Sequence, residues 1–281
     1  MKITKIEVQK KHPGRYSLYV DEAFWLGINE RVLLKFALFK GQSLDQALMD
    51  QITAYEVESK LYQKALNYLS FRMRSKQEMT TYLKKQAKVL DLPHQACDHL
   101  VTQLESEGLL NDQVFAQMYL DDAQHLNAKG PKLIEQDLRQ KGVQAEIINH
   151  VLENYSEDQA LANAHTLLDK YLRTKSKLSL QAAKDKAYQH LYQKGFTRDT
   201  IKRLLTEFDF QAYLEDQDKV LAHQANKLLA KYQRKAQGYD LKQKLYLALR
   251  RKGFDNDRIN DWLAQTPIFE NELRILDKEP P

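Results

Sequence analysis

Leu138-Arg139-Gln140-Lys141-Gly142-Val143 is written into this chain twice more, as Leu191-Tyr192-Gln193-Lys194-Gly195-Phe196 and as Leu249-Arg250-Arg251-Lys252-Gly253-Phe254. Each copy carries the signals of a helix end. An apolar anchor comes first, then a basic last turn that suits the negative end of the helix dipole, then a glycine able to take positive φ. An apolar residue follows the glycine, and five positions beyond it stands Ile148, Ile201 or Ile259. That offset predicts a hydrophobic staple, in which the residue before the N-cap packs on the fourth residue of the next helix. Val151 and Leu152, Leu204 and Leu205, and Trp262 and Leu263 then continue one helical face at i+3 and i+4.

A fainter copy stands upstream. Leu83-Lys84-Lys85-Gln86-Ala87 takes the place of Leu138 to Gly142, with Ala87 where the others have glycine. After a longer loop, Leu92 and Cys97 occupy the staple positions, followed by Leu100 and Val101. The aligned leucines are 55, 53 and 58 residues apart. A period of this size predicts a repeat array in which each unit buries its face against its neighbours. The expected fold is mainly α: tandem three-helix-bundle repeats in an elongated curved array, preceded by a small antiparallel β-sheet plus helix. The expected boundaries are 1–56 for the extension, 57–108, 109–155, 156–210 and 211–267 for the four repeats, and 268–281 for a tail.

Composition agrees with helices. The 281 residues are 43% apolar and contain only 9 glycines and 6 prolines, so chain breakers are scarce. A single cysteine excludes an internal disulfide and points to the reducing cytoplasm. The segment Met1-Lys2-Ile3-Thr4-Lys5 has no apolar signal core, and no run approaches the ~18 apolar residues of a membrane span. A soluble, cytoplasmic monomer without membrane contact is expected. The net charge of +5 is unevenly placed. Residues 72–88 carry six basic side chains against one acid, whereas residues 109–155 carry four basic and seven acidic ones. Such asymmetry fits contact with nucleic acid or an acidic protein surface, and also fits ordinary solvated helices.

The opening is the part that reads as β. Ile3, Ile6 and Val8, then Tyr16, Leu18 and Val20, then Ala23 to Ile28 predict three antiparallel strands, joined by a turn at His12-Pro13-Gly14 and a tight turn at Asp21-Glu22. Asn29 should cap a helix that ends at Gly41, and Ser43-Leu44-Asp45-Gln46 reads as a capping box opening the next. Further capping boxes are expected at Ser75-Lys76-Gln77-Glu78 and Ser156-Glu157-Asp158-Gln159. Asn111 should cap a helix stapled by Leu110 and Phe115, and Pro131 should sit in the first turn of another. The fourth repeat should have Val220, Leu228, Leu229 and Tyr232 inward and break at Gly238.

Catalytic and metal signatures are missing from the sequence. His94 and Cys97 are spaced i, i+3, but zinc needs at least three protein ligands and nothing nearby completes the set. Cys97 fills the slot held by isoleucine in the other copies, which makes it a core residue. The chain has no Gly-x-Gly-x-x-Gly and no Gly-Lys-Ser/Thr phosphate loop. Asp121-Asp122 and Glu157-Asp158 are neighbours that diverge by about 100° on a helix, unlike an acid–base pair. No catalytic residue, metal ligand or cofactor is therefore expected. Arg72, Arg74, Lys76, Lys84, Lys85 and Lys88 are the candidates for partner or DNA contact, since several such cations could neutralise phosphates.

Three stretches resemble the RecX family of bacterial regulators of the recombinase RecA. They are Arg72-Met73-Arg74-Ser75-Lys76-Gln77-Glu78-Met79, Gly108 through Ala116, and Gly130-Pro131-Lys132-Leu133-Ile134 through Lys141-Gly142-Val143. The opening Lys2-Ile3-Thr4-Lys5-Ile6 is similar to the N-terminal extension of longer family members. Ala87 and the long loop to Leu92 depart from the repeat. The resemblance implies tandem three-helix repeats without catalysis that bind the RecA–DNA filament. It also implies restraint of recombinase, ATPase and coprotease activities in DNA repair, homologous recombination and the SOS response. Single- or double-stranded DNA is a further implied partner, and a helical-repeat DNA-binding protein acting without RecA is the alternative.

Overall fold

The computed structural model describes residues 1–10, 14–126 and 128–269. The expected turn at His12 and Pro13 and the tail beyond Phe269 lie outside them.

The extension forms a three-stranded antiparallel sheet in the order β1 (Ile3–Val8), β2 (Arg15–Val20), β3 (Ala23–Asn29). Asp21 and Glu22 both take positive φ, 47° and 68°, which is the backbone a two-residue hairpin requires. Ile3 pairs with Val20, and Leu18 with Leu26. One face of the sheet buries Ile3, Leu18, Val20 and Ile28 against Val32, Leu38, Leu44, Met49 and Ile52. The N-terminal end of β1 is also tied to a later loop, by Ile3 N to Gln42 O at 2.9 Å and Gly41 N to Ile3 O at 2.8 Å.

Helix α1 (Glu30–Lys35) is capped by the Asn29 side chain, but it ends at Phe36 rather than at Gly41. Ala37, inside the expected helix, has φ 42° and has already left it. Helix α2 (Gln46–Leu69) starts from Asp45, whose side chain accepts from Leu48 N at 2.7 Å, so the expected Ser43 box does not form. At 24 residues α2 is one unbroken helix, and position 56/57, read as a domain boundary, falls inside it. Its early turns bury Met49 and Ile52 under the sheet, and its later turns bury Leu61 and Ala65 in the next core. Between the two lie buried Glu56 and Ser59, polar residues that interrupt the apolar stripe.

The helices that follow are α3 (Lys76–Val89), α4 (His94–Ser106), α5 (Asp112–His125), α6 (Pro131–Gln140), α7 (Ala145–Leu152), α8 (Glu157–Arg173), α9 (Leu180–Gln193), α10 (Arg198–Glu207), the single turn α11 (Gln211–Leu214), α12 (Gln217–Tyr232), α13 (Gly238–Arg251) and α14 (Asn256–Ala264). The protein is mainly helical behind a small antiparallel sheet. Three of the expected helix ends close alike. Val143 N bonds Leu138 O, Phe196 N bonds Leu191 O, and Phe254 N bonds Leu249 O, with φ of 75°, 88° and 80° at the intervening glycines. This is the Schellman closure. Ile148, Ile201 and Ile259 are fully buried one staple interval later.

The first copy closes by the same bonds, four residues later than the sequence suggested. Leu92 N bonds Ala87 O, and the positive φ, 55°, belongs to Asp91. Ala87 is thus the buried anchor, and Asp91 stands where the others have glycine. Aspartate is among the few non-glycine residues that visit this region readily. Gly238, expected as a break, is instead the first residue of α13, and the fully covered apolar residues of α12 are Leu221 and Ala225, with Val220, Leu228, Leu229 and Tyr232 half-buried around them.

Two compact units divide the chain: Met1–Met118 with Leu138–Asn149, and Tyr119–Asp137 with His150–Pro281. The first contains the sheet core and a second core built on Leu61, Met79, Leu83, Cys97 and Leu104. The second contains the core of Leu221, Leu241, Leu245, Leu249, Phe254, Ile259 and Leu263.

Candidate interaction surface

Of the six candidate basic residues, three are engaged at the start of α3. Ser75 caps this helix in a reciprocal box with Glu78. Arg72 grips the Glu78 carboxylate with two nitrogens, at 3.0 and 2.9 Å, and Lys141 Nζ reaches the same carboxylate at 3.1 Å. Burial pushes the Glu78 carboxyl up, but the hydrogen bonds from Arg72 and then Lys141 outweigh it and hold its pKa at about 2. Arg74 lies over the Tyr68 ring at 3.9 Å, and Tyr68 stacks on Tyr82 at 4.0 Å. Lys76 forms an ion pair with Glu105. Arg72, Arg74 and Lys76 therefore hold helices together.

Lys84, Lys85 and Lys88 behave differently. All three are exposed on α3, and none makes an ion pair among the described residues. Next to them Val89 is 75% exposed, and in the connection between α2 and α3 Phe71 is 83% exposed. The structure thus splits the sequence-predicted cluster into a structural trio and an open trio.

The start of α3 also takes part in a joint that the sequence did not reveal. Ser75 Oγ accepts from Glu78 N and donates to the main-chain oxygen of Lys141, 66 positions away, at 2.6 Å. The glycine-ended turn after α6 therefore seats on the first turn of α3. A Cβ on Gly142 would lie 2.4 Å from Gln77 Cβ. Asp112, 5% exposed, completes the seat by accepting from Lys76 N at 2.9 Å. In the second unit the same joint recurs twice. The turn after α9 seats on the start of α6, with Gly130 N donating to Lys194 O at 2.7 Å and Lys132 N to Gly195 O at 3.1 Å. The turn after α13 seats on the start of α9, with Ser179 Oγ donating to Lys252 O at 2.5 Å. There Gln217, 4% exposed, takes the part of Asp112 and accepts from Leu180 N at 3.0 Å. Ser75 was expected as a cap residue, but its second bond and that of Ser179 span 66 and 73 positions and leave no local signal.

Glu56 was missed as well. It is fully buried, and it accepts from Arg15 Nη2 at 2.9 Å and from Asn29 N at 3.0 Å. Asn29 Nδ2 donates to Ser59 Oγ. The polar interruption in the α2 stripe is the clamp that fastens the sheet.

The most enzyme-like grouping is in the second unit. Lys129 Nζ lies 2.8 Å from both Tyr119 OH and Asp137 Oδ2, and Tyr119 OH is 2.6 Å from Asp137. Burial works against the charged amine, but its bonds to Asp137 and Tyr119 prevail and raise the Lys129 pKa. A protonated amine has no lone pair to offer as base or nucleophile. Tyr155 OH bonds Lys129 O, and Asn163 bonds both Tyr155 OH and Gln124 O, so the group belongs to a structural network. Cys97 is buried, and burial raises its thiol pKa, which keeps it in the unreactive form. Among the described residues no three or more His, Cys, Asp or Glu side chains are placed to hold a metal ion, and no helix is long and apolar enough to cross a membrane.

Repeated three-helix units joined through helix ends define a helical-repeat protein. Comparison with known proteins gives the family. Residues 1–45 match the family model for the regulatory protein RecX N-terminal domain, 62–87 the first RecX three-helix domain, and 111–152 the second. The third-domain model matches twice, over 157–205 and 215–263. The chain is 35% identical over 270 residues to the regulatory protein RecX of Oceanobacillus iheyensis, covering 94% of this chain and 98% of that one. It is 34% identical over 273 residues to the regulatory protein RecX of Listeria monocytogenes serotype 4a, covering 97% of this chain and all of that one. A crystal structure of regulatory protein RecX superposes with a TM-score of 0.61 at 30% identity, over 73% of this chain and 99% of that chain. The chain belongs to the RecX family of regulatory proteins.

Proposed function

We propose that this protein is a non-enzymatic regulator that binds the RecA–DNA filament and restrains RecA recombinase, ATPase and coprotease activities. Family membership supports the target. The observation that carries the mode of action is the division of labour among the basic residues of the first unit. Arg72, Arg74 and Lys76 are consumed in holding helices, whereas Lys84, Lys85 and Lys88 present open charge on one helix. Charge placed this way speeds encounter with an acidic or phosphate-bearing surface and tunes its salt dependence more than it adds affinity. Lys84, Lys85 and Lys88 are accordingly the proposed contact residues for the filament.

The test is the DNA-dependent ATPase of RecA with this protein added below stoichiometry. Inhibition is expected, and replacing Lys84, Lys85 and Lys88 by alanine should raise the amount needed by about tenfold, the order expected for losing several screened ionic contacts. No effect of the wild-type protein at equimolar RecA overturns the proposal. The second reading, DNA binding without RecA, is favoured by the same unpaired lysines. It requires that bare DNA be bound with a steep salt slope that the triple replacement flattens, while RecA activity stays unchanged.

A further inference from the structure

We propose that the groove where the sheet meets the middle of α2 is a binding site for phosphate groups. The groove lies wholly within the first unit, has a volume of ≈570 Å³, and among the described residues is lined by four cations: Arg15, Arg31, Lys60 and Lys64. Glu30 is the carboxylate in its wall, and Glu56 lies buried beneath. Leu90 is the large apolar residue in the lining, so an apolar ligand has little to rest on.

Part of this charge is explained by the fold. Glu56 needs a counterion, and Arg15 at 2.9 Å supplies it, with Lys60 more distant at 3.6 Å. Arg31 and Lys64 have no carboxylate partner among the described residues. The Arg31 guanidinium lies over the Tyr62 ring at 3.7 Å. Stacking fixes its plane; the guanidinium also reaches the Tyr62 hydroxyl, and of its five N–H donors those turned away from Tyr62 can grip an oxyanion. Arg15 spends Nη2 on Glu56 and on Gly27 O, which leaves the donors of its other nitrogens. Lys60 and Lys64 are one turn apart on α2 and share a face. Two fixed guanidinium groups and two lysines are thus in place before a ligand arrives, which lowers the ordering cost of binding.

Two sources share this chemistry: the backbone of a single-stranded nucleic acid and a small free phosphate compound. Among the described residues no tyrosine, phenylalanine or tryptophan lines the groove, so bases have no stacking platform there and recognition should be indifferent to sequence. The site is separate from the lysines of α3 proposed for the filament.

The full chain is titrated against a labelled oligothymidylate of about 20 nucleotides, at about 50 and 200 mM salt, with pyrophosphate as competitor. Combined Arg31→Ala and Lys64→Ala should weaken oligonucleotide binding about tenfold and reduce the salt slope by roughly 1.4, the value for two lost contacts on a single strand. Combined Lys202→Ala and Lys227→Ala, two exposed lysines of the second unit, removes the same charge and should change binding less than twofold. Lys64→Gln alone, checked by its circular dichroism, should weaken binding about threefold and guards against a folding defect in the double variant. Displacement of the oligonucleotide by millimolar pyrophosphate assigns the site to isolated phosphates, and resistance assigns it to the phosphodiester chain. Binding of neither probe, equal losses in both double variants, or no loss in the groove variant overturns the proposal. RecA inhibition measured on the same variants reports separately on the filament proposal.

Discussion

The joint at Ser75 and the joint at Gly130 perform one task with different chemistry. Both seat a glycine-ended turn on the first turn of another middle helix, and both end on a main-chain oxygen, that of Lys141 or of Lys194. At Ser75 the donor is a side chain, and a carboxylate with two cations surrounds it. At Gly130 backbone meets backbone, so closely that a Cβ on Gly130 would lie 2.3 Å from the carbonyl carbon of Gly195. The first joint can be tuned by pH and salt. The second depends on the absence of side chains, and solution conditions have little hold on it.

The harshest way to break this comparison is Gly195→Ala. The residue has φ 88°, and its Cβ would meet Leu133 N at 2.3 Å. Left-handed strain and overpacking together should destabilise by roughly 3–5 kcal/mol, read from denaturant unfolding. A milder loss is expected from Ser75→Ala, about 2–3 kcal/mol, because one hydroxyl serves both as cap and as donor to Lys141 O. Gly253→Ala should fall near 2 kcal/mol: its φ of 80° is equally strained, but its Cβ would meet the Ser179 hydroxyl at 2.9 Å rather than backbone. Equal effects at Gly195 and Gly253 would show that φ alone matters and that the close seat adds nothing.

The smallest effect is the most diagnostic. Glu78 titrates at about 2 in the folded protein against 4.5 ordinarily. A depressed carboxyl stabilises fully above pH 4.5, and its contribution fades as pH falls from there toward 2. Because Arg72 is half-exposed, solvent screens the pair, and about 1–2 kcal/mol should be lost across that window. Glu78→Gln should remove this part of the pH dependence, while a variant of the Gly130 joint should retain it. Acid titrations of both, followed by circular dichroism, make the check.

The architecture was legible in the sequence because helix ends are written locally. Leu138 to Val143 and its two relatives state anchor, glycine and staple within a dozen residues, and each closes by the expected bond. The first copy was misplaced by one turn because Asp91 takes the positive φ, so alignment by glycine selects Ala87 wrongly. The staple from Leu92 to Cys97 was nonetheless in register, and Cys97 is fully buried. Glu56 and Ser59 flank the boundary expected at 56/57, and they form a polar clamp inside one continuous helix, which only the packed sheet reveals. The candidate basic residues could be placed along the chain but not paired. Glu78, Glu105 and Tyr68, which claim Arg72, Lys76 and Arg74, are recognised as partners only once the helices are packed.

Every joint accepts its bond at a peptide carbonyl, whichever lysine happens to bear it. A peptide oxygen survives any substitution of the side chain above it. A copied segment therefore arrives with a working connector already installed, provided its closing glycine is kept. The array can lengthen by gene duplication without having to invent a new interface. Two successive segments, 157–205 and 215–263, fit one and the same domain description, the pattern such growth would leave.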